Sequence, residues 1–188
     1  STTAGDPFGT APTVRLFDEF DNFADAASDT VDVQVIDATA ANVGGSLPFT
    51  ADAGIATLDS IQPTLAGTGF KLVASVAGFA AAATSDEFAV THAAPFQLAF
   101  AQPAPMWPAP SARAGDPIPV VVEVQDFWGN LCDDDGASSA LLTVNIAGIP
   151  SFTAPYAGGT DANGYPVVAV GGRIVFDAFS IYRAGAGY

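Results

Sequence analysis

The stretch Val120–Asn130, VVVEVQDFWGN, reads as a β-strand that runs into a tight turn, and the chain carries this pattern twice. The earlier copy is Thr13–Asn22, TVRLFDEFDN, where Asp18 and Asn22 fall 108 residues before Asp126 and Asn130. Ala4–Pro7 and Ala114–Pro117 are both AGDP. Gly54–Phe70, GIATLDSIQPTLAGTGF, aligns without gaps on Gly172–Tyr188, GRIVFDAFSIYRAGAGY. The shared positions include Gly54/Gly172, Asp59/Asp177, Ala66/Ala184, Gly67/Gly185 and Gly69/Gly187. The offset grows from 108 to 118 along the repeat, which places insertions in loops of the second copy, with Gly158–Tyr165 the obvious one. Self-similarity of this kind signals a repeated architecture.

The local pattern says what is repeated. Val31, Val33 and Val35 alternate with Asp32 and Gln34; Phe70, Leu72 and Ala74 alternate with Lys71, Val73 and Ser75. Val120, Val122 and Val124 alternate with Val121, Glu123 and Gln125, and Leu142, Val144 and Ile146 alternate with Thr143 and Asn145. A period of two marks a strand buried on one face. The 19 glycines and 14 prolines are spread throughout and would puncture helices everywhere. The Ala-rich patch Ala80–Ala83 reads as a loop. The fold class is therefore all-β. A sandwich needs about 100 residues, so the chain holds two in tandem, over residues 1–93 and 94–188. The copies are cut unevenly. The second opens with a strand at Phe96–Ala101, FQLAFA, that has no counterpart before Ser1; the first closes with strands Phe70–Val76 and Glu87–Thr91 that lie past the matching end of the second. Edge strands are thus either outside this stretch or supplied by neighbouring chains.

Composition bounds the partners. Five basic against twenty acidic residues give a net charge of −15. That field repels phosphate backbones and anionic membrane surfaces and attracts cations, which argues against nucleic acid. The longest apolar stretch, Leu72–Ala83, is broken by Ser75 and Gly78 and is shorter than the ~20 residues a membrane helix needs, so no membrane insertion is expected. One cysteine, Cys132, allows no intrachain disulfide. The chain begins without Met and without a signal peptide, as a mature form or an excised piece would.

With these residues in view, the chain resembles bacterial immunoglobulin-like tandem repeats of large surface and secreted proteins, including the invasin/intimin type. The resemblance rests on Ala114–Pro117, on Asp126, Gly129 and Asn130, and on Gly172–Phe176 and Ala184–Tyr188. In the first copy it rests on Gly54–Leu58, Ala66–Phe70, and Ser85, Phe88 and Val90. It departs at Asp21, where the turn glycine belongs, and at Phe70, where the second copy has Tyr188. The hydroxyl of a corner tyrosine ties the chain back on itself, and Phe70 lacks one. The resemblance implies the sandwich fold and an extracellular or cell-surface setting. It does not select among stalk, adhesin tip and enzyme accessory.

Each candidate site has a structural reading beside a functional one. Asp126 and Asp18 suit turn-building, by accepting backbone N–H groups. Asp126, Asp133 and Asp135 are also the candidate ligands for a cation, Ca²⁺ by the chemistry of clustered loop carboxylates, although their spacing matches no calcium-loop motif. Trp107 lies in Gln102–Pro119, a segment with six prolines that favours an extended course. It packs on a neighbouring repeat or docks a partner. Phe127 and Trp128 are consecutive aromatics at a hairpin tip, which makes Trp107, Phe127 and Trp128 the candidate partner contacts, carbohydrate included. His92, the only histidine, reads as a linker residue, and Cys132 beside Asp133–Asp135 is a poor nucleophile. No catalytic residues and no cofactor are identified. The function read from the sequence is structural or adhesive: a subunit of an extracellular fibre, stalk or layer, whose partners are copies of itself or neighbouring repeats. Such chains would join end to end by strand complementation. The alternative is a carbohydrate- or protein-binding accessory module of a larger secreted enzyme or adhesin.

Overall fold

A computed structural model describes residues 1–39, 41–79, 81–101, 113–143, 156–157, 166–177 and 179–181. Trp107 and Met106, the inserted loop over 158–165 and the C-terminal 182–188 lie outside the described residues. Those described are all-β, with no helix among them. The chain divides into two compact units, Ser1–Ala93 and Ala94–Tyr188.

The first unit contains β1 (Thr2–Thr3), β2 (Thr13–Arg15), β3 (Thr30–Ile36), β4 (Asn42–Thr50), β5 (Ile55–Thr57), β6 (Gly67–Val76), β7 (Ala83–Thr84) and β8 (Phe88–Thr91). Its larger sheet runs β1-β8-β6-β3-β4, with β7 paired to β6, and β2 and β5 form a separate antiparallel pair. The alternation at Val31, Val33 and Val35 does what the pattern demands: all three are buried, while Asp32 and Gln34 are only partly covered. Phe70, Leu72 and Ala74 of β6 bury the same face, and Leu16, Ala56, Leu58 and Ile61 close over it from the β2–β5 side. Burying a side chain of this kind contributes roughly 1.5–3 kcal/mol. Phe70 is one of these core residues and packs on Phe88 at 5.9 Å, so the corner position is held by apolar contact.

Two elements differ from the sequence reading. Ala83, at the end of the Ala-rich patch, pairs with Ala74 in β7. Strand β4, NVGGSLPFT, shows no apolar alternation, yet it pairs along β3 from Thr50 to Asn42 with a register shift between Gln34 and Ile36. It is an edge strand, with all but Phe49 and Val43 exposed. Ala51 N donates to Asp29 O, which makes 31/49 and 33/47 the hydrogen-bonded pairs and turns Pro48 outward. A proline is tolerated in a sheet where its missing N–H faces solvent.

The second unit contains β9 (Gln97–Phe100), β10 (Val120–Gln125), β11 (Ser139–Ala140), β12 (Tyr156–Ala157), β13 (Val167–Val168), β14 (Arg173–Phe176) and β15 (Ser180–Ile181). The sheet β14-β10-β9 is antiparallel throughout. Val120, Val122, Val124, Ile174, Phe176 and Phe179 form its core with Ala169 and Cys132. Of the alternation expected over Leu142–Ile146, Leu142 and Thr143 lie outside any strand and the rest lies outside the described residues.

The duplication is visible in backbone contacts. Gly54 (φ +77°) and Gly172 (φ +70°) each face a carbonyl one repeat apart: a Cβ would stand 2.3 Å from Ala24 O and 2.2 Å from Cys132 O respectively. Only glycine permits that approach. The positive φ of Gly129 in the second turn is matched by Asp21 in the first, at +62°.

Candidate functional site

The turn after β10 is built from Asp126. Its Oδ1 accepts from Trp128 N and Asn130 N, both at 2.9 Å, and its Oδ2 accepts from Asn130 Nδ2 at 2.9 Å. Asp126 N in turn donates to Asn130 O, and Gly129 N to Asp126 O. The carboxylate is wholly buried and Asn130 nearly so. In the first unit Asp18 repeats the network with Phe20 N, Asn22 N and Asn22 Nδ2, but on the surface. The Asn22 side chain, then the Asn22 and Phe20 backbone N–H groups, hold the Asp18 carboxyl below its ordinary value.

The remaining acidic candidates have separate settings. Asp135 accepts from Ser138 N and Ala137 N, and the Ser138 side chain, ahead of these backbone groups, lowers its pKa. Asp133 stands in the loop where its carbonyl approaches Gly171. Among the described residues, no three of the His, Cys, Asp and Glu side chains converge as a metal-holding group. Cys132 is fully buried. Burial first, then the charges of Asp126, Asp135, Asp134 and Asp133, push its thiol up. His92 lies just past β8, with its Nδ1 2.7 Å from Ala93 O.

The aromatics of this turn remain in water. Phe127 is 61% exposed and Trp128 48%. They are joined by Phe96, 66% exposed, whose N donates to Gln125 O as β9 begins. The Phe127 ring meets Phe96 edge-on at 5.2 Å and 74°, and Trp128 at 5.1 Å and 89°. Such contacts contribute about 0.5–1.5 kcal/mol each and hold the cluster together without burying it. Steeply crossed rings offer no shared flat face, so the arrangement is a ridge of edges and faces rather than a platform. Sequence reasoning identified Phe127 and Trp128 and missed Phe96. The signal was there in FQLAFA, but only the β9–β10 register, Gln97 opposite Gln125, carries Phe96 to the turn. Among the described residues the first unit shows no equivalent: Phe20 is 74% exposed, and the ring contact near its turn is between Phe17 and Phe23, at 6.1 Å.

No protein-family model matches the chain, and no curated protein sequence matches it. Among solved structures, a β-glucuronidase of Bacteroides uniformis is similar over 96% of this chain and 20% of its own, at 15% identity and a TM-score of 0.30. The alpha-2-macroglobulin of E. coli is similar over 94% of this chain and 11% of its own, at 14% identity and a TM-score of 0.32. An alpha-2-macroglobulin mutant from Salmonella is similar over 98% of this chain and 13% of its own, at 16% identity and a TM-score of 0.30. This chain therefore spans a fifth or less of each of these proteins. At these TM-scores they assign it neither a family nor a function.

Proposed function

We propose that the chain is a segment of an extracellular bacterial surface fibre, stalk or layer, made of immunoglobulin-like repeats of the kind its sequence resembles. Its role is structural or adhesive rather than catalytic. The observation that supports this reading is one backbone plan used twice. The ladder Thr13↔Thr57, Val14↔Ala56, Arg15↔Ile55 reappears as Val121↔Val175, Val122↔Ile174, Glu123↔Arg173. Serial copies of a sandwich lengthen a chain without creating a reaction cleft. An excess of fifteen negative charges keeps such an array dispersed. Its partners are then copies of itself or neighbouring repeats, met through sheet edges. Antibodies raised against the chain and imaged on intact source cells by electron microscopy test the reading. Label on a surface filament or layer is the expected result, and label that appears only after lysis overturns it.

The aromatic ridge favours a second reading, an accessory module that binds a protein or carbohydrate. Exposed Phe and Trp anchored by mutual contact are the usual centres of a contact surface. On this reading Phe127→Ala or Trp128→Ala abolishes binding to whichever ligand a glycan array or pull-down yields. A blank glycan array removes carbohydrate from it.

A further inference from the structure

The three-ring cluster belongs to the second unit, but one part of it is used in both. Phe20 and Trp128 fall 108 residues apart, at the same position of the two turns. Each has its backbone N–H on the turn carboxylate at 2.9 Å, Phe20 on Asp18 Oδ1 and Trp128 on Asp126 Oδ1. A second 2.9 Å bond to the same oxygen closes each turn, from Asn22 N and from Asn130 N. The residue after the aromatic is left-handed in both, Asp21 at +62° and Gly129 at +88°.

The backbone at each tip is thus tied down, and the ring that it carries stays outside. Phe20 is 74% exposed and Trp128 48%. Trp128 keeps that exposure although β9 is paired beside β10 and Phe96 stands against Phe127. Display at the tip therefore does not come from an open sheet edge. The turn itself needs only the Asp acceptor and a residue that tolerates positive φ. A large ring held in water at both copies adds nothing to either core, and its use is a contact.

Charge says what the rings can meet. Phe20 stands between Glu19 and Asp21, all three exposed, with exposed Asp25 further along the loop. The hairpin of Trp128 leads into exposed Asp133 and Asp134. No Lys or Arg lies between Arg15 and Lys71, or between Arg113 and Arg173. Arg15 stands on β2 opposite Ile55, and Arg173 is paired with Glu123 at 3.1 Å. Aromatic faces attract cations, and neighbouring carboxylates add to that field. The same field repels an anionic partner, and a purely apolar one would strip water from the carboxylates without pairing them.

We propose that the turn tips at Phe20 and Trp128 are two copies of one docking site, each taking an arginine- or lysine-bearing segment of a partner protein. The cationic head lies over the ring, and the carboxylates of the same loop face the neighbouring charges of the segment. This rests on the second reading above, in which the turn aromatics are a contact surface, and it names the chemistry of the partner.

The test is a titration of the full chain, isotope-labelled, at low salt with a blocked peptide of alternating glycine and arginine, followed residue by residue by NMR. Saturable shifts at the amides of both turns and at the Trp128 indole, with a Kd below about 1 mM, are expected. Phe20→Leu keeps the net charge and much of the apolar surface but removes the ring face. It weakens the first site at least about threefold and leaves the second unchanged, and Trp128→Leu does the reverse. Diffuse attraction to a chain of net charge −15 is indifferent to both changes. Phe20→Tyr and Trp128→Phe keep a ring and keep the binding. Absent shifts at the turns, equal binding of the leucine variants, or equal binding of a peptide with glutamine for arginine each overturns the proposal. Shifts at one turn alone overturn the claim of two copies. Failure with the peptide leaves the contact surface to be decided by the glycan array and pull-down, so the two readings fall separately.

Discussion

Asp126 and Asp18 occupy the same place in two copies of one turn, one buried and one in water. Replacing Asp126 with alanine removes the acceptor of Trp128 N, Asn130 N and Asn130 Nδ2, each held at 2.9 Å. Water reaches these donors poorly, because Asp126 is wholly buried and Asn130 is 8% exposed. A hydrogen bond to a charged group contributes ~1.5–3 kcal/mol net, and a stranded buried donor costs ~1–3 kcal/mol. The alanine also relieves the burial of the carboxylate, so these terms do not simply add, and a net loss of about 3 kcal/mol is expected. With a urea m-value of about 1.5 kcal/mol/M, the unfolding midpoint falls by about 2 M. In a Trp107→Phe background Trp128 is the one tryptophan left, and its fluorescence follows the turn that Asp126 builds. Asp126→Asn keeps an oxygen for the two backbone N–H groups and falls between wild type and alanine. Asp18→Ala removes the same bonds on the surface, where water replaces them, and the circular-dichroism transition of the first unit moves far less. A shift of under about 0.5 M for Asp126→Ala, or an equal shift for Asp18→Ala, refutes the assignment of this difference to burial.

Gly172→Ala forces a Cβ to within 2.2 Å of Cys132 O at positive φ. It lowers stability by ~3 kcal/mol or more, whereas Gly129→Ala, with open space around it, costs only ~1–2 kcal/mol; equal thermal melts of the two variants would contradict this. Cys132 resists thiol reagents in the native chain and reacts in urea; a native rate equal to the unfolded one would show that the side chain is not buried. Asp37 accepts from the Thr39 hydroxyl first, then from Ala41 N and Thr39 N, which hold its carboxyl below 3.8. The folded value lies below the unfolded one, so this stability is present above 3.8 and is lost as pH falls through the folded value. The urea midpoint should therefore drop below about pH 4, and less steeply in Asp37→Asn.

The strands that could be read from the sequence were those whose chemistry alternates. Val31, Val33 and Val35 must share a face, and so must Val120, Val122 and Val124; the structure buries both sets. The shared glycines were legible as a pattern, but their reason was not. That Gly54 meets Ala24 O and Gly172 meets Cys132 O depends on contacts between segments about 30 and 40 residues apart. Strand β4 was illegible because an edge strand exposed on most of its length has no face to write in apolar residues. Two of the three residues of the aromatic ridge, Phe127 and Trp128, could be read as adjacent residues. Phe96 could not, because strand register is fixed by packing and turn geometry rather than by composition.

Pro48 on β4 has a consequence for how such units could stack. It faces outward from the rim of the larger sheet, where the ladder offers an approaching chain no N–H, and Gly45 (φ +74°) departs from strand geometry nearby. That rim is guarded against lateral growth in the way natural sheets guard exposed edges. With that rim closed, the larger sheet does not lengthen by strand addition at β4, so a neighbour that meets this side of the unit must do so through side chains rather than through a continued ladder.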